Sequence, residues 1–197
     1  METPTSTRER LVAAMADQLA RRGLHGVGLS ELLAQAKAPK GVMYHHFPGG
    51  KQALAVAAIE QIAQRIGDSL DHLLRKEPDP VAALQIWIQA AQRRLDTSGF
   101  EHGCPLATVA LESTAQDTEL RAALASAFGT LRRRMADALV RSGLADPMAH
   151  GLASLMVATY EGGLIQARVA GSSAPMAQAT QALLALLKAY TRPGDRT

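Results

Sequence analysis

Pro39 constrains this chain more than any other single residue. It lies within residues 30–54, SELLAQAKAPKGVMYHHFPGGKQAL, where apolar side chains keep helical spacing on both sides of it. A proline has no amide proton to donate and disfavours a helical residue before it, so the stretch cannot be one helix. Two short helices around a tight turn are expected instead. Ser30 is expected to cap the first, which carries Leu32, Leu33 and Ala36 inward. The second begins near Pro39, a residue suited to a first helical position, and runs to about His46. It would expose Lys40, Val42, Tyr44 and His45 and turn Met43, His46 and Phe47 toward a core. After the break at Phe47-Pro48-Gly49-Gly50, a third helix opens on Lys51.

A helix pair of this kind suits the reading of DNA, since the second helix needs only to lay its first turns in a major groove. Lys40 can donate to guanine acceptors or to phosphate. Gly41, without a side chain, lets the helix backbone come close to the groove edge. Val42 cannot hydrogen-bond and is expected to touch a thymine methyl or to fill space. Tyr44 and His45 face the flanking backbone as phosphate contacts. Lys51 stands at a helix start, where open amides and the positive end of the dipole already favour an anion. Ser30 can serve as both cap and phosphate donor, whereas Glu31 would repel phosphate and is left out. His45 and His46 are neighbours on a helix, point in different directions and make a poor metal pair. Charge agrees with this placement. Residues 1–55 hold seven Lys/Arg against four acids, which is the whole of the chain's net charge of +3.

Elsewhere the breakers divide a chain of helical period. Ser6-Thr7-Arg8-Glu9 is a capping-box pattern ahead of Leu11, Met15 and Leu19, and Gly23 ends that helix. Residues 51–76 read as a connector about 40 Å long. Glu77-Pro78-Asp79-Pro80 breaks it, and helices follow at about 80–96, 106–115, 117–142, 146–170 and 175–190. No stretch keeps a strand period over a useful length. The fold class is therefore all-α, with about nine helices: an N-terminal three-helix helix-turn-helix domain at 1–54 and a C-terminal helical bundle at 55–197.

With 197 residues and 47% hydrophobic content the chain can bury a core. No apolar run approaches a membrane span and METPTSTRER is not a signal segment, so a cytoplasmic protein without membrane partners is expected. The single cysteine, Cys104, cannot form an intrachain disulfide. Nucleophile elbow, phosphate loop, paired-carboxylate motif and metal signature are all absent from the sequence, which argues against an enzyme and calls for no cofactor or metal.

Lys40-Gly41-Val42-Met43-Tyr44-His45-His46-Phe47, with Thr7-Arg8-Glu9-Arg10, Arg22-Gly23 and Lys51-Gln52-Ala53-Leu54 around it, resembles the DNA-binding domain of TetR-family transcriptional regulators. Gly103-Cys104-Pro105-Leu106 with Glu112 resembles the regulatory domain of the LmrA/YxaF branch. Three departures stand out: Val42 replaces a small hydroxyl residue, Glu31 puts an acid at a helix start, and Gly49-Gly50 lengthens the turn by one. The resemblance implies a homodimeric repressor on a double-stranded DNA operator, released by a small-molecule inducer. It also implies that the last two helices pair with those of a second subunit, through Leu152, Leu155, Thr159, Gly163, Leu183 and Leu187. For the inducer, an apolar or aromatic pocket would draw on Trp87, Phe128, Met135, Met156 and Tyr160, with Glu112, Gln166 and Cys104 beside them. The same side chains at helical spacing also suit a plain core. As a further alternative, Cys104, between His102-Gly103 and Pro105, is a candidate sensor of oxidants or electrophiles.

Overall fold

The computed structural model describes residues 6–191, and every regular element among them is a helix. In order these are α1 Thr7–Arg22, α2 Leu29–Ala36, α3 Lys40–His46, α4 Gly50–Lys76, α5 Pro80–Thr97, α6 Pro105–Glu112, α7 Thr118–Arg141, α8 Asp146–Ala170 and α9 Ala174–Thr191. The all-α reading with nine helices therefore holds over the described residues. Packing divides the chain into two units. One comprises the residues through Gln64 with Cys104–Ala127, and the other Arg65–Gly103 with the residues from Phe128 onward.

In the first unit, α1 begins at the expected capping box. Ser6 Oγ accepts from the Glu9 amide at 3.2 Å, and the Ser6 amide donates to Glu9 Oε2 at 2.8 Å, so two orphan groups of the first turn are satisfied together. Its buried stripe of Leu11, Val12, Met15 and Leu19 packs against α2, α3 and α6. Gly23 closes it with φ +69, a conformation that costs a residue with a Cβ. The start of α4 adds Leu54, Ala55, Ala58 and Ile59 to this core, and α6 adds Leu106 and Val109. The sequence places the end of α6 near Ala115, but the helix stops at Glu112. Asp117 is the reason: its Oδ2 accepts from both the amide and the hydroxyl of Thr114, at 2.8 and 2.7 Å, and turns the chain before α7.

The second unit is built on α5, α8 and α9, each packing on the other two. Asp79 caps α5 by accepting from the Val81 amide at 2.9 Å, with Pro80 at the first helical position. Trp87 of α5 lies over Tyr160 of α8, ring centroids 4.4 Å apart and 33° from parallel. Gly171, in the left-handed conformation, ends α8 and lets the chain return as α9. Gly67 has a separate purpose within this unit. Arg134 Nη1 passes across its backbone to reach Asp71 Oδ2 at 2.9 Å, and a Cβ at position 67 would collide with that nitrogen.

Hydrogen bonding to the Ser6 amide, then to the Ser6 hydroxyl, holds the Glu9 carboxyl below the ordinary glutamate value. A depressed folded pKa means that this contribution to stability is complete above the ordinary value and is lost as pH falls through the lower, folded one. Replacing Glu9 with Gln is expected to remove a loss of stability that the native chain shows below about pH 4. Urea denaturation across the acid range measures it.

Candidate nucleic-acid interface

Helix α2 is held on α1 by polar contacts at three levels. At the end of α2, Arg10 Nε donates to the Ala36 carbonyl at 3.0 Å, and its Nη2 donates to Thr7 Oγ1 at 3.0 Å. Midway, Gln18 Nε2 donates to Gln35 Oε1 at 3.0 Å while Gln35 Nε2 donates to Asp17 Oδ2 at 3.1 Å. At the start of α2, Arg22 Nη1 pairs with Glu31 Oε2 at 2.6 Å, so the acid is neutralised beside the helix start.

The start of α2 corrects the capping expectation. Gly28, not Ser30, is the N-cap: its backbone is extended and its carbonyl accepts from the Leu32 amide at 3.0 Å. Ser30 sits in the first turn with its side chain exposed, still available to a phosphate. At the other end, Lys37 adopts the left-handed conformation, with φ 49, and turns the chain into Pro39. Pro39 is the N-cap of α3 and accepts from the Val42 and Met43 amides.

The seven residues of α3 are anchored by Met43, which is fully buried, and by Phe47 just beyond the helix. Lys40, Gly41, Tyr44 and His45 are exposed, and Val42 is half-buried. Nothing of the chain lies within 4 Å of where a Gly41 side chain would be. His46 differs from the sequence reading. It is exposed, because the chain leaves the helix at Phe47 and Phe47 takes the inward place, with the His46 ring at its edge at 6.5 Å. Arg8 covers Phe47 from outside, its guanidinium carbon 5.3 Å from the ring centre.

The extra glycine of the turn is accounted for by Tyr44. Gly50 has φ +65, and a Cβ there would come 3.3 Å from Tyr44 Cε1, so the ring rests on the start of α4. Lys51 follows, partly buried. Burial pushes its ammonium below the ordinary lysine value, while the Glu112 carboxylate acts in the opposite sense. Two exposed residues that the sequence reading did not nominate for the site lie beside these. Lys37 is exposed in the turn before α3, and its signal was a lysine two places before a helix-opening proline. Gln52 beside Lys51 donates to Asp117 Oδ1 at 2.5 Å.

The structure brings Ser30, Lys40, Gly41, Val42, Tyr44, His45 and Lys51 into one packing unit. The other nominated residues are divided. Trp87, Met135, Met156 and Tyr160 are buried in the second unit, Phe128 is half-buried there, and Gln166 is exposed on α8 rather than directed inward. Cys104 and Glu112 belong to the first unit, Cys104 buried at the start of α6 and Glu112 engaged with the backbone after α1. A groove of about 380 Å³ between α5 and α9 is lined by polar groups such as Gln85, Gln92, Thr180 and Lys188, and by none of the nominated ligand residues. Of the residues assigned to subunit pairing, Leu152, Leu183 and Leu187 are buried within the chain, and Gly163 lies against Met176 of α9. Leu155 is exposed and Thr159 half-exposed. Among the described residues no group of three or more His, Cys, Asp or Glu could hold a metal, and no helix is long and apolar enough to cross a membrane.

Two family models match: bacterial regulatory proteins of the tetR family over residues 11–59, and the LmrA/YxaF-like transcriptional regulator C-terminal domain over residues 80–182. The chain belongs to the TetR family. It is a DNA-binding transcriptional regulator, and its C-terminal part is of the LmrA/YxaF type. The HTH-type transcriptional regulator LmrA of Bacillus subtilis is 25% identical over 92% of this chain and 97% of its own length. An uncharacterised HTH-type regulator of Mycobacterium tuberculosis is 30% identical over 86% of this chain and 88% of its own. The HTH-type transcriptional repressor NemR of Escherichia coli is 31% identical over 62% of this chain and 61% of its own. Among solved structures, a TetR regulatory protein from Rhodobacter sphaeroides superposes with a TM-score of 0.82 at 26% identity, covering 91% of this chain and 97% of that one.

For a TetR-family head of this geometry, disabling a phosphate-binding side chain and disabling a base-reading one have different signatures. Lys51→Ala is expected to weaken binding to all duplexes and to lower the slope of log affinity against log salt by about 1 for each phosphate it no longer neutralises. Val42→Thr is expected to change preference at one base position and leave the slope alone. Fluorescence anisotropy over a salt series, with a panel of single-base variants, separates the two.

Proposed function

We propose that this TetR-family chain is a homodimeric repressor that acts in the cytoplasm. It occupies a near-palindromic operator and leaves it when a small, mostly apolar or aromatic inducer binds. The observation that carries the reading is the outward row of Lys40, Gly41, Tyr44 and His45 on a helix pinned by Met43 and Phe47. Lys40 reads guanine or phosphate at the groove, Gly41 permits close approach, Val42 meets a thymine methyl, and Ser30, Tyr44, His45 and Lys51 hold the flanking phosphates. Residues 1–54 carry DNA reading, and 55–197 carry sensing and dimerisation. Repression is the activity in the name of NemR.

One recognition helix makes few base contacts, and a twofold axis supplies a second half-site. Support for a second subunit comes from α8, which is apolar on two sides. One side is consumed within the chain. On the other, Met148, Leu155, Ile165 and Val169 stand exposed at helical spacing, with Gly151 and Gly162 between them and nothing of the chain within 4 Å of either glycine. Small residues in an apolar row let a second helix come close. Leu155 and Thr159 therefore remain at the assigned subunit face, whereas Leu152, Gly163, Leu183 and Leu187 support it from behind. For the inducer, support comes from the Trp87–Tyr160 stack with Met135 and Met156 buried in the same unit.

Leu155→Asp places a charge on the exposed row without touching the buried side of α8. It is expected to yield a folded monomer by sedimentation equilibrium, with affinity for a two-half-site duplex reduced by about 100-fold or more. A native chain that sediments as a monomer at micromolar concentration would overturn the dimer.

A further inference from the structure

α6 ends on an acid, Glu112, at the helix terminus where the backbone dipole favours a cation. Its carboxylate reaches back over the turn that follows α1. Oε2 accepts from the Leu24 amide at 2.5 Å and, more weakly, from the His25 amide at 3.4 Å, while Oε1 lies 3.9 Å from His25 Nδ1. Successive amides of a turn make a concavity suited to an anion, and a side chain 88 residues further along the chain fills this one. The approach requires Gly23, because a Cβ there would collide with Oε1. Just beyond Ser113, the turn of Thr114 and Asp117 engages the head again, with Asp117 accepting from Gln52 next to Lys51. Leu24, Tyr44, Lys51, Glu112 and Asp117 border one cavity of about 570 Å³. The turn leading into α2 and the start of α4 thus both rest on residues 112–117. Those residues fall within the match to the C-terminal family model, yet they pack with the DNA-reading head.

We propose that Glu112 is a positioning residue for operator recognition: it holds the turn before α2 in place, beside the contact that Asp117 makes with the start of α4. The inference rests on the DNA-reading assignment of α2 and α3 made above. An acid that breaks the dipole preference at the end of α6 has its reason here, since local rules give way where function needs them.

The test uses the full chain and a duplex enriched from a random pool by the native protein. Glu112→Ala is expected to lower affinity for that duplex about tenfold, within the usual range of coupling between sites. Affinity for a scrambled duplex and helix content by circular dichroism should stay unchanged. Glu112→Gln, whose amide oxygen can still accept from Leu24, should restore most of the loss. Glu112→Asp keeps the charge but falls short of the turn, so it should behave like Glu112→Ala and takes its place if the alanine variant does not fold. Combining Gly23→Ala with Glu112→Ala should cost less than the sum of the two, because the collision exists only when both side chains are present. Native affinity in Glu112→Ala and Glu112→Asp, or strict additivity with Gly23→Ala, overturns the proposal. Failure of the native chain to enrich any duplex would instead strike the DNA-reading assignment.

Discussion

A helix of seven residues does not persist in water by itself, because nucleation costs more than so few hydrogen bonds return. Everything this TetR-family chain does at DNA depends on α3 having its shape before DNA arrives, so the surrounding structure must supply the order that the helix lacks. Met43 and Phe47 contribute it from beneath by burial, and Pro39 does so at the start by fixing one dihedral. Tyr44 does so at the far end by resting on Gly50. The polar contacts from Arg10, Gln18 and Arg22 to α2 then fix the helix that precedes it. Ordering these groups during folding leaves less entropy to be lost on binding.

Cationic groups around α3 follow the same division of labour. Arg10, Arg21 and Arg22 all make contacts within the head: Arg10 with the end of α2, Arg21 with Asp17, and Arg22 with Glu31. Lys37 and Lys40, on either side of Pro39, are exposed. Two cations beside the start of α3 are therefore left open to solvent.

The sequence revealed most where the physics is local. Pro39, Pro80 and Pro105 fix helix starts because a missing amide acts on the adjacent residues, and the Ser6–Glu9 box was readable because both partners lie within one turn. Ser30 looked like a cap by residue type, but the Gly28 carbonyl met the Leu32 amide first and the helix began earlier. His46 was misplaced because the core position belonged to a residue just outside the helix. Glu112 left no local sign beyond an acid at the wrong helix end, since its partner is 88 residues away. In α8, apolar residues recur on more than one side, and periodicity alone does not tell a side facing α9 from a side facing another molecule. Leu152 and Leu155 read alike as apolar positions of α8, yet Leu152 lies buried within the chain while Leu155 joins Ile165 and Val169 in the exposed row.

We propose that α3 is presented in advance as a sequence-reading helix and that two such helices act together. Selection of duplexes from a random pool by the 197-residue chain measures this most directly. The expected result is enrichment of two inverted half-sites with centres about one helical turn of DNA, or a multiple of it, apart. Enrichment of a single unpaired site would contradict the twofold arrangement, and a pool left unchanged would contradict sequence reading by α3.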